Sequence, residues 1–197
     1  ALTVEASDPD EQFERVIHAG QFPVGVFRTD LDGVCFGVNP RWCQLSGLTE
    51  EQSLGFGWLQ AIHPDDRDRV LLAQAEERAR GRSLRIEFRL VRPDGSTTWV
   101  LSQAVGALND EGQLSGFVGT LTDIDDRVRA ETALRESEER FRNLVELSPD
   151  FITIHRGGIM LYVNAAGQQM MRCETADDLI GHHILEFVLP DYQEAAI

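Results

Sequence analysis

The chain is expected to be an α+β protein, with short helices packed on one face of an antiparallel sheet. Three observations predict this. Leu84, Ile86, Phe88 and Leu90 alternate with Arg85, Glu87 and Arg89, the pattern of a half-buried antiparallel strand. Strand-like runs come as a group of two and then a group of three, separated by helical pieces, which is the order of helices segregated to one face of a sheet. The first half of that order then returns about 126 residues further along.

The elements follow in chain order. Asp8-Pro9-Asp10-Glu11 combines a capping Asp, a Pro in the first turn and a Glu three residues after the cap, the signature of a helix start. Phe13, Val16 and Ile17 share one face of this amphipathic helix, which occupies residues 1–20. Residues 24–29 and 34–38 form a hairpin around Asp30-Leu31-Asp32-Gly33, with Gly supplying the turn conformation. Residues 39–62 are short helical pieces broken by Gly47, Gly55 and Gly57. His63-Pro64-Asp65-Asp66 opens a longer helix that Gly81 closes, its two carboxylates lying at the positive end of the helix dipole. Strands over residues 84–90, 97–107 and 114–124 are joined by turns at Arg92-Pro93-Asp94-Gly95 and Asn109-Asp110-Glu111-Gly112.

Residues 126–147 contain neither Gly nor Pro and carry Glu131/Arg135, Glu136/Arg140 and Glu138/Arg142, pairs that support a continuous exposed helix. Ala130, Leu134, Ser137, Phe141 and Leu144 recur at alternating steps of four and three. That seam is either a weak parallel dimer contact or one side of a solvated linker.

The repeat is ordered. Glu11-Gln12-Phe13-Glu14-Arg15-Val16-Ile17 returns as Glu139-Arg140-Phe141-Arg142-Asn143-Leu144-Val145. Gly33-Val34-Cys35-Phe36-Gly37-Val38-Asn39 returns as Gly158-Ile159-Met160-Leu161-Tyr162-Val163-Asn164, and Ile62-His63-Pro64-Asp65 as Val188-Leu189-Pro190-Asp191. Residues 148–197 therefore read as the first half of a second copy. Its strands, over residues 150–155 and 159–163, have no counterpart of the last three strands to pair with. The second unit is expected to be mobile, to be completed by a neighbouring molecule, or to belong to a longer chain.

Composition narrows the function classes. The formal net charge is -15, which repels phosphate backbones and anionic lipid, so no nucleic-acid partner is expected. No apolar run approaches the ~18 residues of a membrane span, and the acidic start lacks the basic flank of a signal peptide. The expected location is cytoplasmic. Cys35, Cys43 and Cys173 are widely spaced with no CxxC pair, so neither a disulfide framework nor a metal site is encoded. The five His are scattered, and no phosphate-binding glycine loop or nucleophile elbow is present, so no catalytic residues are assigned and the chain is read as not an enzyme.

The Asp30–Gly33 hairpin, Val38-Asn39-Pro40, Ser46-Gly47, His63-Pro64-Asp65-Asp66, Arg92-Pro93-Asp94-Gly95-Ser96, Trp99-Val100 and Gly119-Thr120-Leu121-Thr122-Asp123-Ile124, in this order, resemble a PAS domain with its PAC segment. The resemblance covers residues 21–125, and the first half of a second PAS domain recurs from residue 148. It implies a five-stranded sheet in spatial order 2-1-5-4-3 whose inner face and helices enclose a pocket. It also implies a sensory module, as in bacterial sensor kinases and cyclic-dinucleotide signalling proteins, that relays its state to an output domain outside this chain. Asp123, Ile124 and Asp125 stand where the family places its relay between the last strand and the following helix.

The resembling flavin-binding LOV domains carry a reactive Cys that Gly55-Phe56-Gly57-Trp58-Leu59-Gln60 lacks, and Leu90, Val100 and Leu121 replace their flavin-facing amides. Haem-binding relatives take a His from the long helix, which has none here; His63 precedes it and reads as a cap or a packing residue. Neither covalent flavin nor haem is expected, and the cofactor is unassigned. The expected wall comprises Phe27, Trp42, Trp58, Phe88, Leu90, Val100 and Leu121, with Thr29, Asn39 and Ser102 as polar contacts. It suits an apolar or amphipathic small molecule, or is filled by its own side chains. Trp99 alternates to the outer face, where Phe13, Val16 and Ile17 are the candidate partners in a homodimer. The alternative to a ligand sensor is a ligand-free interaction or dimerisation module.

Overall fold

The computed structural model describes residues 22–80 and 83–189. The expected helix over residues 1–20, with Phe13, Val16 and Ile17, lies outside them. Two compact units divide after Arg129.

In the first unit, β1 (Gly25–Asp30) and β2 (Cys35–Val38) form the hairpin, and α1 (Pro40–Ser46), α2 (Glu50–Ser53) and a 3-10 turn (Gly57–Ala61) follow. Then come α3 (Pro64–Ala79), β3 (Leu84–Val91), β4 (Thr97–Leu108) and β5 (Leu114–Asp123). The sheet is antiparallel in the order β2-β1-β5-β4-β3.

Local chemistry starts and stops each helix. Asn39 caps α1 with Pro40 in its first turn, and Gly47 ends it at φ 74, a left-handed conformation that glycine adopts without strain. Thr49 and Gln52 close a reciprocal capping box on α2. Before α3, His63 Nδ1 accepts the amide of Asp65 at 3.3 Å, so this imidazole is a cap, as its position suggested.

Register sets the inner face. Ile86 lies opposite Ser102 and Phe88 opposite Val100; Ser102 in turn faces Leu121, and Ala104 faces Gly119. Gly119 also pairs with Phe27, whose ring fills the space that a side chain at 119 would need. Val38, Trp42, Leu45, Ile62, Val70, Phe88, Leu90, Val100 and Leu121 pack as one buried core, each larger side chain contributing ~1.5–3 kcal/mol of burial.

Asp125–Glu146 is a single 22-residue helix, α4, with no buried residue. Beyond it, β6 (Thr153–Arg156) and β7 (Ile159–Val163) form a two-stranded sheet, followed by α5 (Ala165–Met171) and 3-10 turns at Ala176–Asp178 and Ile184–Phe187. Met160, Val163 and Leu179 form a small core. Among the described residues, β6 pairs with β7 alone.

The repeat is reproduced atom by atom at one residue. Asn39 Oδ1 accepts the amides of Val26 (2.8 Å) and Trp42 (2.9 Å), and its Nδ2 donates to the Val24 carbonyl (3.1 Å). Asn164 Oδ1 accepts the amides of Ile152 and Gly167, both at 3.0 Å, and its Nδ2 donates to the Asp150 carbonyl at 2.9 Å. In each unit one buried amide side chain ties the start of the hairpin's first strand to the helix after the hairpin.

Candidate sensory site

A cavity of about 60 Å³ lies between the inner face of the sheet and the helices of the first unit. It is too small for a tricyclic or porphyrin ring without movement of its wall, being well below the ~300 Å³ at which drug-sized sites begin. Of the ten residues expected to line it, Phe27, Thr29, Trp42, Trp58, Phe88, Leu90, Ser102 and Leu121 do so. Trp58 is fixed by its indole N–H, which donates to the Gly33 carbonyl at 3.3 Å.

Two expected residues stand elsewhere. Asn39 is not a polar contact of the cavity, because both ends of its amide are taken up by the backbone bonds of the staple. Val100 is fully buried in the core cluster but outside the cavity lining. Sequence reasoning missed Cys35, Ile62, Leu84, Ala104 and Phe117, and the polar Gln74 and Glu77 from α3. The period-2 pattern offered Leu84, but its place at the wall depends on pairing with Ala104. Burial raises the pKa of the Cys35 thiol and outweighs a backbone hydrogen bond from Gly37 that lowers it, so this wall residue is a neutral thiol.

The three relay candidates gather around one residue. The Ile124 amide donates to the Trp99 carbonyl at 3.0 Å, and the Trp99 amide donates to Asp125 Oδ1 at 2.7 Å. Asp123 Oδ1 accepts the Asp125 amide at 3.0 Å. Both backbone groups of Trp99 are thereby clasped by the turn that opens α4. Arg127 in the first turns of α4 pairs with Glu87 on β3 at 2.8 Å.

The Trp99 ring is half-buried, with the Arg89 guanidinium 5.7 Å from its centroid. Arg89 Nε in turn bonds Asp66 Oδ2 at 2.9 Å, and the Arg89 amide donates to the same oxygen at 2.9 Å. These hydrogen bonds from Arg89 outweigh burial and hold the Asp66 carboxyl at about 2. Asp66, expected only to favour the helix dipole, is thus the bolt joining α3 to β3. Ion pairs across distant segments leave no spacing in the sequence, so nothing there revealed it.

No group of metal-ligating side chains occurs among the described residues, and none of their helices is long and apolar enough to cross a membrane.

Comparison with known proteins places both units. The family described as "PAS fold" matches residues 36–121, and that described as "PAS domain" matches residues 139–196. An uncharacterized protein, y4lL of Sinorhizobium fredii, is 34% identical over 84% of this chain and 20% of its own length. Sensor protein FixL of Bradyrhizobium diazoefficiens is 28% identical over 76% of this chain and 30% of its own length. The chain thus spans a third or less of these relatives. Among solved structures, a sensory box histidine kinase/response regulator from Burkholderia thailandensis is 28% identical with a TM-score of 0.50, covering 68% of this chain and 98% of that one. The sheet order, the repeated Asn staple and these matches lead to one assignment: the chain belongs to the PAS domain family and carries two PAS-family segments in tandem.

Proposed function

We propose that this chain is the sensory part of a signalling protein, in which the state of the first unit's cavity is relayed through α4 to an output domain of the histidine kinase or diguanylate cyclase type. The observation that carries this reading is the course of β5. Leu121 lines the cavity, and two to four residues later Asp123, Ile124 and Asp125 clasp Trp99 and open α4. A ligand that displaces Leu121 therefore pulls directly on the root of the helix. The chain itself supplies no catalytic group; any kinase or cyclase activity belongs to the output domain. We further propose a homodimer in a cytoplasmic setting, with Trp99 near the contact.

A second reading is favoured by the cavity's small volume: a ligand-free docking module whose interior is filled by its own side chains. Native mass spectrometry and an absorbance spectrum of the purified chain separate the two. A bound small molecule, or displacement of Leu121 and Asp125 amide signals by an added one, supports sensing. A colourless dimer that takes up nothing supports docking. If Trp99→Ala leaves the oligomeric state unchanged, the proposed dimer contact is wrong.

A further inference from the structure

The cavity wall carries an unspent hydroxyl. Ser102 sits on β4 between Ile86 and Leu121, is only 3% exposed, and lines the cavity. Its Oγ makes no hydrogen bond to any described residue, whereas the buried amides of Asn39 and Asn164 are engaged at both ends. Among the described residues, no side-chain polar atom is both sealed from solvent and without a partner. The Ser102 oxygen therefore keeps some open surface, and the space it borders is the cavity. A buried hydroxyl without a partner is unfavourable unless something polar meets it.

We propose that Ser102 is the hydrogen-bonding anchor for a neutral ligand of a few non-hydrogen atoms bearing a single oxygen, a small ketone, aldehyde or alcohol. This rests on the reading of the cavity as a ligand chamber. Three features define the class. The volume of about 60 Å³ admits only a few atoms, since one water alone needs ~10–15 Å³. No Arg or His is among the lining residues, and the one lining carboxylate, Glu77, is already paired with Arg80 at 3.2 Å, so an anion finds no counter-charge in the wall. Most of the wall, including Phe27, Phe88, Leu90 and Leu121, is hydrocarbon, with Gln74 and Glu77 its polar members from α3, so a second polar group on the ligand finds few partners. The other lining hydroxyl, Thr29, is half-buried.

Acetone and isobutene test this directly, because they have nearly the same shape and differ by an oxygen in place of a methylene. The full chain, wild type and Ser102→Ala, is titrated with each probe and with xenon, following the amide signals of Ser102 and Leu121 by NMR. The expected result is that Ser102→Ala weakens acetone about tenfold, the scale of one lost hydrogen bond, leaves isobutene and xenon unchanged, and does not lower the melting temperature of the ligand-free protein. Ser102→Cys, with a weaker donor of similar size, falls between the two. If all three probes bind and acetone is indifferent to both substitutions, the anchor is refuted while the chamber stands. If neither xenon nor either probe binds the wild type, the chamber itself is refuted, and the anchor with it. A fall in stability of Ser102→Ala without probes would mean that the hydroxyl serves the fold, which also overturns the proposal.

Discussion

The two units share a local design and differ in what surrounds it. In both, a hairpin is followed by a buried Asn that caps the next helix and holds the segment entering the hairpin's first strand. In the first, β1 is sandwiched between β2 and β5 and its first two residues are buried. In the second, β6 has β7 alone among the described residues, and three of its four residues are exposed. The cavity positions diverge as well. By the repeat, Trp42 corresponds to Gly167, where Phe151 and Val163 occupy the space a side chain would need. The comparison teaches that hairpin, staple and helix keep one local geometry in both units, whereas the first unit's cavity is walled by the later strands as well.

The largest effect is expected from the staple. Asn39→Ala strips two amides and a carbonyl of their partner inside the five-stranded unit and should cost about 3 kcal/mol, read as a shift in the denaturation midpoint. Asn164→Ala should abolish hydrogen-exchange protection over residues 150–167 and leave the first unit's transition in place. If both substitutions unfold both units together, the staples do not act locally.

The Asp66–Arg89 bolt gives the next effect. The Asp66 carboxyl sits at about 2 when folded against an ordinary 3.8. Its contribution is fully present above about pH 4 and is lost as pH falls from 3.8 towards 2, amounting to about 2 kcal/mol. Asp66→Asn should flatten the acid loss of the first unit in that window, monitored by Trp fluorescence. An unchanged acid profile would remove the bolt from the account.

The two ends of α4 give smaller effects. Asp125→Ala releases the Trp99 amide and should cost the first unit about 1.5 kcal/mol, with faster exchange at Trp99 and Val128. Tyr162→Phe removes the 2.7 Å bond to Glu146 and should cost the second unit about 1 kcal/mol. Equal costs would erase this distinction between the ends.

The smallest effect is spectroscopic. Burial, with Glu146 adding to it, pushes the Tyr162 phenol up to about 12. Its neutral form is favoured by folding, so that contribution is intact below pH 10 and fades as pH rises from 10 towards 12. Absorbance titration of wild type against Tyr162→Phe should show the missing phenol ionising near 12; ionisation near 10 would mean that the bond to Glu146 is weak.

Much of this was legible from residue order. The hairpin at Asp30–Gly33, the alternating strand at Leu84–Leu90, the cap at His63 and the family resemblance all rest on neighbours within a few positions, where backbone preference and side-chain period act directly. On the strands, alternation indicates which side chains face inward, as for Phe27, Phe88, Leu90, Ser102 and Leu121, which line the cavity. Asn39 was misplaced because a polar residue beside an apolar run looks the same whether it faces a cavity or its own backbone. Only the approach of Val24, Val26 and Trp42 distinguishes them.

By itself, the sequence determined the element order, the repeat, the acidic charge and the polarity of each strand face, all of which are properties of local period and composition. Tertiary structure alone decided that Asp66 bolts β3, that Trp99 is clasped at both backbone groups, and that the Ser102 hydroxyl has no partner among the described residues. Each of these depends on strand register and on contacts between residues more than twenty positions apart or on different strands. No spacing rule encodes such contacts, because they exist only once burial has brought the segments together and removed the water that would otherwise satisfy their polar atoms.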